Sequence, residues 1–482
     1  VVVADLCRHF HQQPNHSTMS ELTLSTLDRG APHTYIRYAL IFSCNADQSS
    51  AAIEKLHKAT KRLVSEIPML AGVVTTSDSK NPTVAVTIDQ VKEFKATIAH
   101  PQIDDKNYTF IRNHGFAPRY ISSAGYTPLT DGLIGDVNAC CAIQADLIDG
   151  GLILVIYLHH AVADIRGVAT MIRLMSEGLP ARELSEEALE LEATTVSQAR
   201  ARLSSGTGIA GFLASARDIE QRRKLSEGQA GPQSDRNTPA NECDSPGAAA
   251  ASPSAAILRF RLNIITGAAE MINRRRRDRN NTEKITPRDV LIAILWKAFV
   301  RAHWANGTQI TSRSSISFPV DIRPHMVPAL EPHWMGNAEV TAVAIDDTTL
   351  LRGGYDLSYI ERTANIVHKS AISVSTDLRT RSHIEMINES TSTPAPPETQ
   401  LVVHDWTPVP VMPEQEMDLG LGLGRPDAIR RIGRSFGTNE IVLMPEDHQA
   451  RAWDVQVEVR NGCMTHLQRD GELGKFLWSF AS

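Results

Sequence analysis

The chain has 482 residues, 42% hydrophobic and 22% charged, the balance of an ordinary globular protein of two or three domains. Its 49 basic and 55 acidic residues leave a net charge of −6, which argues against nucleic acid as the main partner. Six scattered cysteines without a C-x-x-C spacing indicate neither a zinc cage nor a disulfide framework, and no apolar run approaches the roughly 18 residues of a membrane span.

The opening VVVADLCRHFHQQPNHS lacks a basic leader and a long apolar core, so a soluble, cytoplasmic protein is expected. YIRYALIFSC, residues 35–44, has the β-branched and aromatic content of a strand. In the next segment Ile53, Leu56, Ala59, Leu63 and Ile67 recur at spacings of three and four. That spacing predicts one buried helical face, closed by Pro68. VNACCAIQADLIDGGLILVIYLHH reads as two strands around the tight-turn sequence Asp149-Gly150-Gly151. A helix is expected after Asp164, stopped by Gly178 and Pro180.

Residues 227–254 are rich in Gly, Pro, Ser and Ala with almost no large apolar side chain. Such a stretch cannot offset its own ordering entropy and reads as a mobile linker near mid-chain. Beyond it, ITPRDVLIAILWKAFVRAHW opens with Thr286 and Asp289, the pattern of a capping box before an apolar helix. The last hundred residues alternate short strands and turns, ending in the amphipathic segment CMTHLQRDGELGKFLWSF. A mixed α/β protein in two halves of similar size is expected.

The chemistry concentrates in GGLILVIYLHHAVADIRG, residues 150–167. The H-x-x-x-D spacing of His160 and Asp164 is weak alone, since His100 and Asp104 repeat it with no strand leading in. Context sharpens it. Side chains alternate along a strand, so His159 and His160 point to opposite faces and only one serves a given cavity. A histidine at the tip of a buried strand is held rigidly beside a chain reversal, and imidazole titrates where a general base works. Two satisfied polar residues at a strand end fit the same residues. A metal site lacks a third ligand at matching spacing.

YLHHAVAD resembles the H-x-x-x-D centre of the BAHD acyltransferases, which move acyl groups from coenzyme A to alcohols or amines. MDLGLGLGRPDAIR resembles that family's D-F-G-W-G block, with Asp418, Gly420 and Gly422 in register and Leu419 and Leu421 in place of the aromatics. LTLSTLDRGAPHTYIRYALIF and LVSEIPMLAG resemble the family's first half; TPRDVLIAILWKA and VDIRPHMVPALEPHWMGN resemble its second. The leucine variant and the extended glycine run look like the fungal, trichothecene O-acetyltransferase-like branch.

The resemblance implies two similar-sized domains, each a mixed β-sheet flanked by helices as in chloramphenicol acetyltransferase, with an active-site channel between them. The division expected is 1–205, a crossover linker at 206–257, and 258–482. It implies His160 as general base, Asp164 turned away in a salt bridge with Arg323, and Asp418, Gly420 and Gly422 as structural residues. It implies acyl-CoA, acetyl-CoA first among candidates, as co-substrate, with Arg274 and Arg275 of INRRRRDRNN near its phosphates. A solvated helix face is the alternative for that arginine run. No permanently bound cofactor or metal is implied, and a monomer acting on a small hydrophobic alcohol is expected.

Two departures stand out. Ile165 follows Asp164 where the family has glycine, with Gly167 two positions on. The family's T/S-S-W block reads VHDWTPVP, so His404 takes the place of a hydroxyl residue, followed by Asp405 and Trp406. His404 and Trp406 are therefore expected to contact the oxyanion or the acceptor. The same departures leave open a fold redirected to cyclisation or condensation. A non-catalytic binding member is the third reading.

Overall fold

The computed structural model describes residues 19–75, 83–100, 107–121, 137–206, 254–307, 311–389, 400–407, 418–433 and 439–482. The stretch expected as a linker lies outside them except for Ser254. In chain order the strands are β1 (Met19–Thr23), β2 (Tyr35–Ser43), β3 (Val73–Thr75), β4 (Thr83–Thr87), β5 (Thr97–Ala99), β6 (Val137–Ala139), β7 (Cys141–Ile148) and β8 (Gly151–His159). The second half contributes β9 (Ser254–Arg261), β10 (Arg313–Asp321), β11 (Glu339–Asp347), β12 (Leu401–Asp405), β13 (Ala428–Arg431), β14 (Glu440–Asp447), β15 (Ala452–Val459) and β16 (Leu477–Ala481).

The first half is organised by a five-stranded mixed sheet in the order β13-β2-β8-β7-β5. β7 and β8 form a hairpin in which Ile148 faces Gly151. Gly150 sits at φ +75°, the left-handed turn conformation that glycine takes without steric cost. Every residue of β8 is buried, because both faces of the sheet are covered. Leu152, Leu154, Ile156 and Leu158 pack with the helices Ala46–Glu66 and Ile165–Ser176. Ile153, Val155 and Tyr157 pack with Tyr108 and Ile111 of the helix Tyr108–Asn113. The helix after Asp164 ends at Ser176, ahead of the expected stops.

A second sheet of the first half, β1-β4-β3-β6, is antiparallel throughout. It stands beside the expected mixed sheet of that half. Its strands have three to five residues, too short for alternation to stand out in sequence.

The second half is a seven-stranded mixed sheet, β11-β10-β12-β14-β15-β9-β16. One face carries Ile316, Phe318, Leu401, Val403, Ile441 and Leu443 against the helices Leu262–Asp278, Pro287–Ala305 and Leu357–Val374. The helix Pro287–Ala305 starts with the expected capping box between Thr286 and Asp289. From the other face Val442 and Met444 join the first half's core, so the halves meet there. The amphipathic tail splits into a helix, Asn461–Arg469, and the strand β16.

β13 lies in the second half of the sequence yet pairs with β2, Arg431 opposite Tyr38. A division of the chain at 258 therefore leaves one strand of the second part in the first part's sheet. β9 begins at Ser254, ahead of that division.

Candidate active site

β8 delivers two histidines to the boundary between the halves, and the pleat separates them. His159 faces Tyr35 and His33, with ring centroids 5.2 and 6.4 Å away, and is fully buried. Its Nδ1 accepts the Ala161 N–H at 3.2 Å. Burial, with His33 and His160 adding to it, pushes its pKa down to about 3, so it packs as a neutral ring.

His160 stands just past the strand end, where its backbone N–H donates to the Thr34 carbonyl at 2.8 Å. Its side chain meets Asn337, a residue that nothing in the sequence singled out. The Asn337 amide nitrogen donates to the His160 carbonyl at 2.7 Å and to Asp28 Oδ1 at 3.0 Å. With both amide protons so engaged, Asn337 Oδ1 is the acceptor facing His160 Nδ1, 3.1 Å away. The proton therefore sits on Nδ1, and Nε2 keeps a free lone pair. Burial pushes the His160 pKa below its ordinary 6.5, and His404 works the same way; Asp164 and the Asn337 hydrogen bond oppose the shift.

Asp28 anchors this arrangement. Its Oδ1 also accepts the Asn337 backbone N–H at 2.8 Å, and its Oδ2 accepts from Ser25 and pairs with Arg200, both charges fully buried. Arg200 in turn donates to the carbonyls of Val162 and Met335 at 2.8 and 3.0 Å. The first-half Asp28–Arg200 pair thus clamps the second-half segment 335–337 beside His160.

Asp164 does a parallel job on the other side of the turn. It caps the helix Ile165–Ser176 by accepting the Arg166 N–H at 3.0 Å. Its two oxygens accept from Arg323 Nη2 at 2.9 and 3.0 Å, and Oδ2 also accepts the Ala338 N–H at 2.9 Å. Arg323 completes its contacts on Asp321 at 3.0 Å and the Gly336 carbonyl at 3.0 Å. All of Asp164's oxygen capacity is used in holding backbone and Arg323. Ile165 in place of glycine is accommodated because the tight contact falls at Gly167, where a Cβ would lie 2.5 Å from the Ala163 Cβ.

The glycine block is a turn against the first half. Asp418 Oδ1 accepts the Gly420 N–H at 2.9 Å, and Gly420, Gly422 and Gly424 all have positive φ. Leu419 and Leu421 are buried in the first half's core. A Cβ on Gly422 would meet Lys55 Nζ at 2.6 Å, which places the block beside the helix Ala46–Glu66.

His404 and Trp406 go different ways. His404 lies on the face of the seven-stranded sheet opposite Val403, half-buried, with Nε2 3.4 Å from Glu440 Oε2. Trp406 is buried in the first half's core, tilted against Tyr38 at 5.0 Å. Asp405 pairs with Arg288 at the start of the helix Pro287–Ala305. Arg274 and Arg275 are exposed near the C-terminal end of the helix Leu262–Asp278, whereas Arg276 is buried and donates to Asn365 at 2.8 Å. Among the described residues no cluster of three His, Cys, Asp or Glu side chains could hold a metal ion. No helix among them is long and apolar enough to cross a membrane.

Residues 138–474 match the model of the Transferase family, and residues 34–178 match the trichothecene 3-O-acetyltransferase-like N-terminal domain. The chain belongs to the Transferase family. Among curated relatives, an enoyl-CoA isomerase/hydratase, claC, of Penicillium crustosum is 23% identical over 64% of this chain and 33% of its own length. An eremophilane O-acetyltransferase, prx11, of Penicillium rubens is 27% identical over 32% of this chain and 34% of its own. The chain thus spans about a third of the length of these relatives. Among solved structures, F. sporotrichioides TRI101 complexed with coenzyme A and T-2 superposes with a TM-score of 0.70 at 17% identity, over 96% of this chain and all of that one. Vinorine synthase gives 0.57 at 14% identity, over 96% and 95%. These likenesses establish the two-domain α/β fold for this member of the family.

Proposed function

We propose that the chain transfers an acyl group, acetyl first, from acyl-CoA to a hydroxyl of a hydrophobic secondary metabolite such as a terpenoid or polyketide. The observation that carries this reading is the His160 ring: Asn337 fixes its tautomer, burial keeps it neutral, and Nε2 is the free base. In the reaction Nε2 takes the acceptor's hydroxyl proton as the oxygen attacks the thioester carbonyl. The tetrahedral intermediate collapses with cleavage of the C–S bond, and the departing thiolate takes the proton from His160. No covalent enzyme intermediate is needed. General-base assistance of this kind supplies about 10²–10⁴-fold, and holding both substrates together at least as much.

Asp164 with Arg323, and Asp418 with its glycines, are scaffold in this scheme. His404 is the donor or acceptor contact on the opposite sheet, and Arg274 and Arg275 are coenzyme contacts. Trp406 joins through packing, since its ring is buried against Tyr38. The plan is a cytoplasmic monomer with domains at 1–205 and 258–482 joined by 206–257. The free, buried state of Cys44, Cys140, Cys141 and Cys463 supports a reducing compartment. Thiol release from a panel of acyl-CoAs, each offered terpenoid and polyketide alcohols, tests the reading. A folded His160→Ala variant that keeps the full rate overturns it.

A second reading, the fold redirected to another step of secondary metabolism, draws on the match to a relative named an enoyl-CoA isomerase/hydratase and on His404. It predicts product from the acceptor without any acyl donor.

A further inference from the structure

His404 is not an isolated ring. β12 and β14 run parallel, with Val402 opposite Glu440 and His404 opposite Val442, so Glu440 lies diagonally behind His404 on the same face. Glu440 is buried, and its Oε2 sits 3.4 Å from His404 Nε2 and 2.5 Å from Arg431 Nη2. Arg431 comes from β13, in the other half's sheet, and also reaches Glu458 Oε1 at 2.9 Å. Gln456 seals the set by accepting the Arg431 N–H at 3.1 Å and donating to its carbonyl at 3.0 Å. The His404 side chain is 41% exposed although its Nε2 is buried on Glu440. Glu440 is kept ionised against its burial by His404 and Arg431.

The geometry points to a carboxylate–imidazole pair facing His160, with Glu440 as a positioning residue that turns His404 Nδ1 toward the bound acceptor. We infer that the acceptor carries a second polar group, a hydroxyl or carbonyl beside the reacting hydroxyl, which His404 Nδ1 engages. Two features favour this over a surface ion pair. Glu440, the group beside the ring, is itself held by Arg431 from the other sheet, a cost in side-chain order that a solvent-facing histidine does not require. And His404 lies on the sheet face whose Val442 and Met444 join the core of the first half, the half that carries His160. A site that presents a fixed polar atom discriminates against a ligand that leaves it unpaired. Because His404 stays partly open to water, the discrimination is set at tens-fold rather than thousands-fold.

This inference rests on the acyl-transfer reading, so its test separates the two. With acetyl-CoA as donor, kcat/KM is measured for matched terpenoid acceptors, one a lone alcohol, the other a vicinal diol or keto-alcohol. The expected result is a preference of about tenfold or more for the second, collapsing to near unity in His404→Leu and Glu440→Gln, with KM for acetyl-CoA unchanged in both. Equal rates in the wild type, or a preference that survives Glu440→Gln, overturns the inference while leaving acyl transfer standing. If no alcohol releases thiol, the acyl-transfer reading fails and the pairing is judged by nitrogen NMR of histidine-labelled full chain. There, one ring with its proton on Nε2 must shift in Glu440→Gln and vanish in His404→Leu. A spectrum unaltered by Glu440→Gln refutes the pairing.

Discussion

Asp164→Asn separates scaffold from proton partner, and its cost follows from the contacts. Asp164 and Arg323 are both essentially solvent-free, at 0% and 1% exposure. The amide removes the charge that balances Arg323 and puts an NH₂ where an oxygen accepted, facing either the Ala338 or the Arg166 N–H. Arg323 then keeps Asp321 as its paired counter-charge. Breaking one partner of such a buried pair costs about 3–5 kcal/mol. With about 2.1 cal/mol/K of unfolding entropy per residue, 482 residues give about 1 kcal/mol/K. The melting temperature should therefore fall about 3–5 °C if the chain unfolds as one unit, and about twice that if a half unfolds alone. Scanning calorimetry reads this, and steady-state rates at 15–20 °C, well below the transition, read the chemistry on roughly the scale where stability peaks. The variant should keep a rate within about tenfold of the wild type, since no atom of Asp164 is left to handle a proton. An unchanged melting temperature, or a rate as low as that of His160→Ala in a protein that melts normally, refutes the reasoning.

Asn337→Ala frees the His160 ring and should lower kcat about 10–100-fold, with KM for acyl-CoA unchanged; a wild-type kcat removes Asn337 from the positioning of the base. Because burial lowers the His160 pKa, the acid limb of kcat/KM should fall below 6.5, and a limb above that value contradicts the buried setting. His159 is depressed to about 3 when folded, so the unfolded chain binds more protons between about 3 and 6.5. Its contribution to stability is present above that window and is lost as pH falls through it. Urea titrations across that range should show a shallower pH slope for His159→Phe, and an identical slope would assign acid lability elsewhere. Gly422→Ala forces a side chain into φ +78° and should cost about 1–2 kcal/mol in urea unfolding, as Lys55 can move aside but the backbone cannot.

The fold was largely legible because its strongest signals are local. Asp149-Gly150 marks a hairpin by turn chemistry, and Thr286 with Asp289 marks a helix start by reciprocal hydrogen bonds, each within a few residues. β13 was not legible: four residues hydrogen-bonded to β2 across most of the chain carry no periodicity long enough to register. The site divides the same way. His160 announces itself as the polar end of a buried strand, but Asn337 lies 177 positions away, and a lone Asn after Gly336 reads as a turn residue. Only the contact shows that its amide protons are both committed, and that commitment decides which imidazole nitrogen is free. Trp406 illustrates the converse. Its neighbours in sequence suggested the reacting centre, yet β12 ends at Asp405, so Trp406 leaves the strand and packs against Tyr38 in the first half's core while His404 stays half-buried on the strand. Neighbours in the chain thus need not share surroundings, as His159 on Tyr35 and His160 on Asn337 also show, and the residues that meet at His160 are drawn from both halves.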